Sequence, residues 1–263
     1  MVVDEIAGRA RRRTRIVVVA GLGVAAVLAA VGVGVVALAG HRPTPAGGPP
    51  TPAAPNLPAP ATTATWSPSS APPPAPSVAL DTDLTWTSVN GARVPVSRTA
   101  GPRDTGGGLA HGFAHDARGA VFAAIHITLR LTPQVGPEIF EPTLREQVVG
   151  GDAAALRQRT EADYDTARQK LGLAYGGPAG RLYSGVAGYR IDAIGPTTAA
   201  VRLLIAGPGL DGGTAYATGA LQLRWLGADW VLVAPPRGDW STVVAFVADP
   251  TGYTPLTEGA QPT

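Results

Sequence analysis

Between Ile16 and Gly40 the chain reads IVVVAGLGVAAVLAAVGVGVVALAG, without one charged or strongly polar side chain. As a helix rising about 1.5 Å per residue, this run reaches ~37 Å, enough to cross a ~30 Å hydrocarbon core with some tilt. In lipid a single segment satisfies its backbone only as a helix, so the run predicts one transmembrane helix over residues 16–40. Arg11, Arg12, Arg13 and Arg15 crowd its N-terminal flank, whereas the other flank offers only His41 and Arg42. The positive-inside rule then makes residues 1–15 a cytoplasmic basic tail and places everything after Gly40 outside the cell membrane. The alternative is a cleaved signal peptide with Ala37-Leu38-Ala39 as its small-x-small site, although signal cores usually run to about 7–15 residues.

Residues 41–80 form no core. From Pro43 to Pro76 the sequence is almost entirely Pro, Ala, Thr, Ser and Gly, with Asn56, Leu57 and one aromatic, Trp66, and no charge. Proline fixes φ and removes amide donors, so this linker is expected to be disordered, to favour polyproline II and to act as a semi-rigid spacer of up to ~100 Å. Removing anchor and spacer leaves residues 81–256 as one domain of ordinary size, followed by a C-terminal tail at 257–263. The chain has no cysteine, which excludes disulfides, thiolate metal sites and a cysteine nucleophile. Net charge is only +2, and much of the basic character sits in the N-terminal tail, so the domain is not expected to bind nucleic acid.

Within the domain the hydrophobic period changes once. Thr85–Val89 and Ala92–Ser97 flank Asn90-Gly91, the pair best suited to a two-residue hairpin turn. After a flexible stretch at Thr105–Gly108, Phe113, Val121, Ala124, Ile125, Thr128 and Leu129 repeat at helical spacing, with Asp116 as N-cap. Pro137–Val149 predicts a second helix that Pro142 breaks or bends. Asp152 caps a third, whose stripe is Leu156, Thr160, Tyr164, Ala167 and Leu171, with Gly172 in the left-handed closing position. Beyond Gly180 the period falls to two. Strands are predicted at Arg181–Ile194 (Tyr189, Ile191 and Ala193 on one face), Thr198–Ala206, Tyr216–Leu226 and Trp230–Ala234. Helices grouped before strands give an α+β domain with an N-terminal hairpin and an antiparallel meander. Phe113, Tyr164, Trp225, Trp230 and Trp240 are the expected core anchors, the tryptophans burying roughly 200 Å² each.

Chemistry-bearing residues are sparse. His111 and His115 are four apart beside Asp116, but the glycines around them imply loop rather than the helix a shared metal would need. His126 falls inside the first helix. Ser184, His126 and Asp192 make a triad only on paper, since Ser184 lacks a nucleophile elbow. Glu138, Glu141, Glu146 and Glu161 lie among Arg145, Arg157 and Arg159, as in a solvated face of i,i+4 pairs. Phosphate-loop and dinucleotide fingerprints are missing from the sequence. Arg237-Gly238-Asp239 spells an adhesion tripeptide, yet Pro235-Pro236 already explains a turn there. No catalytic residue, metal or cofactor is expected, and the protein is read as not an enzyme.

GFAHDARGAVFAAIHI, GPEIFEPTLREQVVGGD and LRWLGADWVLVAPPRGDW, behind one membrane helix and a Pro-rich spacer, resemble an actinobacterial family of uncharacterised membrane proteins associated with integrative and conjugative elements. The resemblance spans about Leu84 to Leu256. That family is similar to the outer domains of conjugative type IV secretion scaffolds, which implies a nuclear-transport-factor-2-like fold, helices on a curved antiparallel sheet. It further implies a single-pass scaffold whose partners are the bilayer, other proteins of a membrane complex and further copies of itself. Two alternatives stay open: a ligand-binding or enzymatic cone of the same fold, using His126 or Tyr189 in its cavity, and a cell-wall-associated module.

Overall fold

The computed structural model describes residues 84–210 and 212–256. The basic tail with Arg11, Arg12, Arg13 and Arg15, the apolar run at 16–40, the linker and the C-terminal tail lie outside the described residues. Among the described residues no helix is long and apolar enough to cross a membrane.

Strands β1 (Leu84–Val89) and β2 (Ala92–Ser97) form an antiparallel hairpin. Asn90 and Gly91 both take positive φ, 47° and 86°, the handedness a two-residue turn needs to follow strand twist. Ala92 and Val94 bury one side of β2, and at the tip the Asn90 side-chain amide donates to the Val135 carbonyl. Gly106–Gly108, expected to be flexible, instead forms a 3-10 turn.

Helix α1 (Ala117–Arg130) starts where Asp116 accepts from the Gly119 amide at 2.8 Å. The sequence predicts a one-sided stripe, yet Gly119 through Ile127 are all buried, because β2 lies against one side and the strands between Gly185 and Val233 against another. Its alanine-rich middle lets both layers approach. Helix α2 (Pro137–Glu146) continues through Pro142, which neither ends nor interrupts it. The missing Pro142 amide leaves the Glu138 carbonyl without its helical donor, and Gly108 lies so close to that carbonyl that any β-carbon there would collide with it. The predicted extension to Val149 is wrong: Val148–Val149 is strand β3, parallel to the strand at Asp229–Val233. Helix α3 (Ala153–Leu171) buries Leu156, Thr160, Tyr164 and Ala167. Asp152 makes no side-chain cap bond, and Leu171 is 37% exposed because the helix end overhangs the core. Gly172 closes the helix at φ 66°.

The main sheet has the order β3-β7-β6-β5-β4-β9. It comprises β4 (Gly185–Ile194), β5 (Thr198–Pro208), β6 (Thr214–Leu226), β7 (Asp229–Val233), β8 (Val244–Val247) and β9 (Thr254–Pro255). Its central strands are antiparallel, and the β3–β7 pair makes the sheet mixed. The domain is therefore α+β, three helices packed on a mixed sheet. β4 begins four residues later than predicted, and a register shift between Ile191 and Ala193 turns Ala193 out to solvent. Strands β8 and β9 escaped the sequence reading. β7 pairs with the C-terminal end of β6 at Leu223–Leu226, and β8 takes the same edge at Tyr216–Gly219. The chain then crosses the helix-free face, where the Tyr253 hydroxyl meets the Thr218 hydroxyl at 2.7 Å and Arg190 lies over its ring, before β9 pairs with β4.

Candidate functional site

The place where helices and sheet part is below the C-terminal end of α1. Thr128 and Thr132 descend from α1 and the turn after it, Thr160 and Asp163 from α3, Leu203 and Leu221 rise from the sheet, and Trp240 stands at the side. These residues enclose a cavity of about 50 Å³. A smaller one, about 30 Å³, shares Thr128, Thr132 and Leu203 and reaches Leu182 and Ser184. The polar groups are few. Thr132 donates its hydroxyl to the Leu129 carbonyl at 2.9 Å, while the Thr128 hydroxyl is buried without a partner among the described residues. Burial pushes the Asp163 carboxyl up from its ordinary pKa, with Arg159 opposing and Asp239 adding to the shift. An apolar chamber with one idle hydroxyl and one reluctant carboxylate can hold a water or two.

Neither polar group expected in such a cavity lines it. His126, on another side of α1, points at the hairpin: its Nε2 lies 2.7 Å from the Pro95 carbonyl, and its Nδ1 lies 2.9 Å from Arg130 Nη1. With the proton on Nε2, the ring donates to Pro95 and accepts from Arg130, so both nitrogens are engaged. Burial first, and the Arg130 charge second, lower its pKa to about 3. Arg130 is buried too, which lowers its pKa to about 10 and leaves it charged at neutral pH. Tyr189 is buried in the core.

The remaining sequence candidates have separate local partners. The His111 ring lies 3.7 Å from Asp229, whose carboxylate accepts from the Gly112 and Phe113 amides. His115 stacks on Trp225 at 3.9 Å and reaches the Pro196 carbonyl. No group of three or more His, Cys, Asp or Glu side chains suited to a metal occurs among the described residues. Ser184 borders the smaller cavity, His126 serves the hairpin, and Asp192 pairs with Arg190 and Arg202, so the paper triad is scattered. Glu141 accepts from the Tyr175 hydroxyl, and Arg159 donates to the Arg237 carbonyl and pairs with Asp239, while its charge also acts on Asp163 four residues along the helix. Gly238 sits against the first turn of α3, which gives the Arg-Gly-Asp turn a packing role. Phe113, Tyr164 and Trp230 are buried, whereas Trp225 and Trp240 are only partly buried at the edge of the core. Thr128 is legible in the sequence only as part of the stripe of the first helix and Asp163 not at all, since a helical threonine and a helical aspartate become cavity groups only through packing.

No curated protein and no solved structure matches the chain. A family profile does, over residues 42–255, and it spans both the Pro-rich segment and the folded domain. The chain belongs to the family described as "Domain of unknown function (DUF8175)".

Proposed function

We propose that this protein is a non-enzymatic, single-pass membrane scaffold whose outer domain assembles with other subunits of a DNA-transfer or secretion apparatus. The observation that carries this reading is the near-filled space between helices and sheet. A cone-shaped α+β domain that binds a metabolite between its helices and sheet needs a chamber there of roughly 300–1,000 Å³, and the cavity between them holds about 50 Å³. The commitment of His126 to the hairpin removes the histidine such a site would use as a base. Three helices ahead of antiparallel strands support a nuclear-transport-factor-2-like fold; the hairpin and the parallel β3 are additions to it. The apolar run at 16–40 supplies the anchor and the linker its stand-off. Purification of the full chain from native membranes is expected to bring with it an ATPase and a polytopic channel subunit, and deletion of its gene to abolish conjugative transfer. Solitary purification together with unchanged transfer overturns the proposal.

A further inference from the structure

The α3 end and the loop after it expose more apolar surface than a solvated helix terminus needs. Leu173 is 41% and Tyr175 59% exposed, with Leu171 beside them. The Tyr175 ring is nevertheless held firmly. Tyr164 meets it edge-on at 5.4 Å, the Arg168 guanidinium lies 5.8 Å from its centre, and its hydroxyl donates to Glu141. Arg168 is itself fixed by Asp165 at 2.6 Å. A tyrosine oriented by three neighbours yet open to solvent is a rigid stacking surface, the kind that proline-rich segments in polyproline II conformation dock on.

The chain carries such a segment. Residues 43–76 are proline-rich and uncharged, so docking them would strand no charge against an apolar surface. Length permits the contact. β1 runs about 17 Å from Leu84 to its tip, the tip is tied through Asn90 to Val135, and the adjoining Gly136 abuts Gly177-Pro178 beside the patch. From Trp66 to Leu84 the chain spans up to ~59 Å at about 3.3 Å per residue, so much of the segment reaches this surface. Tethering raises its effective concentration to about the millimolar range, which lets a weak contact be occupied. The family match begins at residue 42 and so joins this segment to the domain.

We propose that the Pro-rich segment 43–76 folds back onto the Leu173–Tyr175 surface of its own domain. Docked, it shortens the spacer and orients the domain relative to whatever precedes residue 41. The inference does not depend on the scaffold reading. Hydrogen exchange on the full chain in detergent tests it against a variant lacking residues 43–76 and a Leu173→Ser/Tyr175→Ala variant. Backbone amides from Gly172 to Gly177 are expected to exchange more slowly in the full chain, and both variants to lose that protection while α1 amides stay protected. Equal exchange in the full chain and the deletion variant overturns the proposal, and that comparison decides alone if the surface variant misfolds. Protection that fades on dilution overturns it too, because the occupant is then a second copy.

Discussion

With both ring nitrogens engaged and no solvent contact, His126 stays neutral in the folded domain down to about pH 3. In the unfolded chain the ring takes up its proton near its ordinary pKa of 6.5. Between those values the unfolded state binds more protons, so its share grows with acidity. Stability is therefore complete above about pH 6.5 and falls as pH drops towards 3, by about 1.4 kcal/mol per pH unit. Urea denaturation should show a loss of about 2 kcal/mol between roughly pH 6.5 and pH 5. His126→Gln should cost about 1–2 kcal/mol at neutral pH through the disturbed Pro95 bond while flattening the acid slope. An unchanged slope would assign the acid sensitivity to another group. The residue itself was visible in the sequence as a histidine within a helix; its role was not, because Pro95, 31 positions earlier, becomes its partner only when the hairpin lies on α1.

At the scale of elements, local chemistry was readable wherever it was self-contained. The Asn90-Gly91 turn, the Asp116 cap and the Gly172 closure each depend on a few neighbouring residues, and each stands where the sequence put it. Elements defined by distant partners were misread. Val148–Val149 was assigned to a helix because its strand identity comes from β7, more than eighty residues away. β8 and the two-residue β9 have too few residues for a period and exist because β6 and β4 offer free edges. The strap between them yields a direct test. Tyr253→Ala removes the Thr218 bond and the Arg190 stacking, which should cost about 1–2 kcal/mol locally. Hydrogen exchange should quicken at the Leu256 amide, which donates to the Ala187 carbonyl, and leave α1 unchanged. Equal quickening in α1 would mean that the strap unfolds only with the whole domain.

Taken whole, the molecule divides into an apolar run, a Pro-rich segment and one α+β domain. The proposed anchor predicts that the full chain sediments with membranes and resists alkaline carbonate extraction, whereas a variant lacking residues 16–40 is recovered in the soluble fraction; a soluble full chain would defeat it. That expectation rests on sequence alone, because hydropathy over 25 consecutive residues is a local property. The same holds for the change of period near Gly180 and for the absence of cysteine chemistry. Tertiary structure decided what sits beneath α1: a helix buried all round, a cavity of about 50 Å³ lined by Thr128 and Asp163, and a histidine turned towards the hairpin. Periodicity specifies which side of an element is apolar, whereas the space left between elements depends on how layers from distant parts of the chain meet.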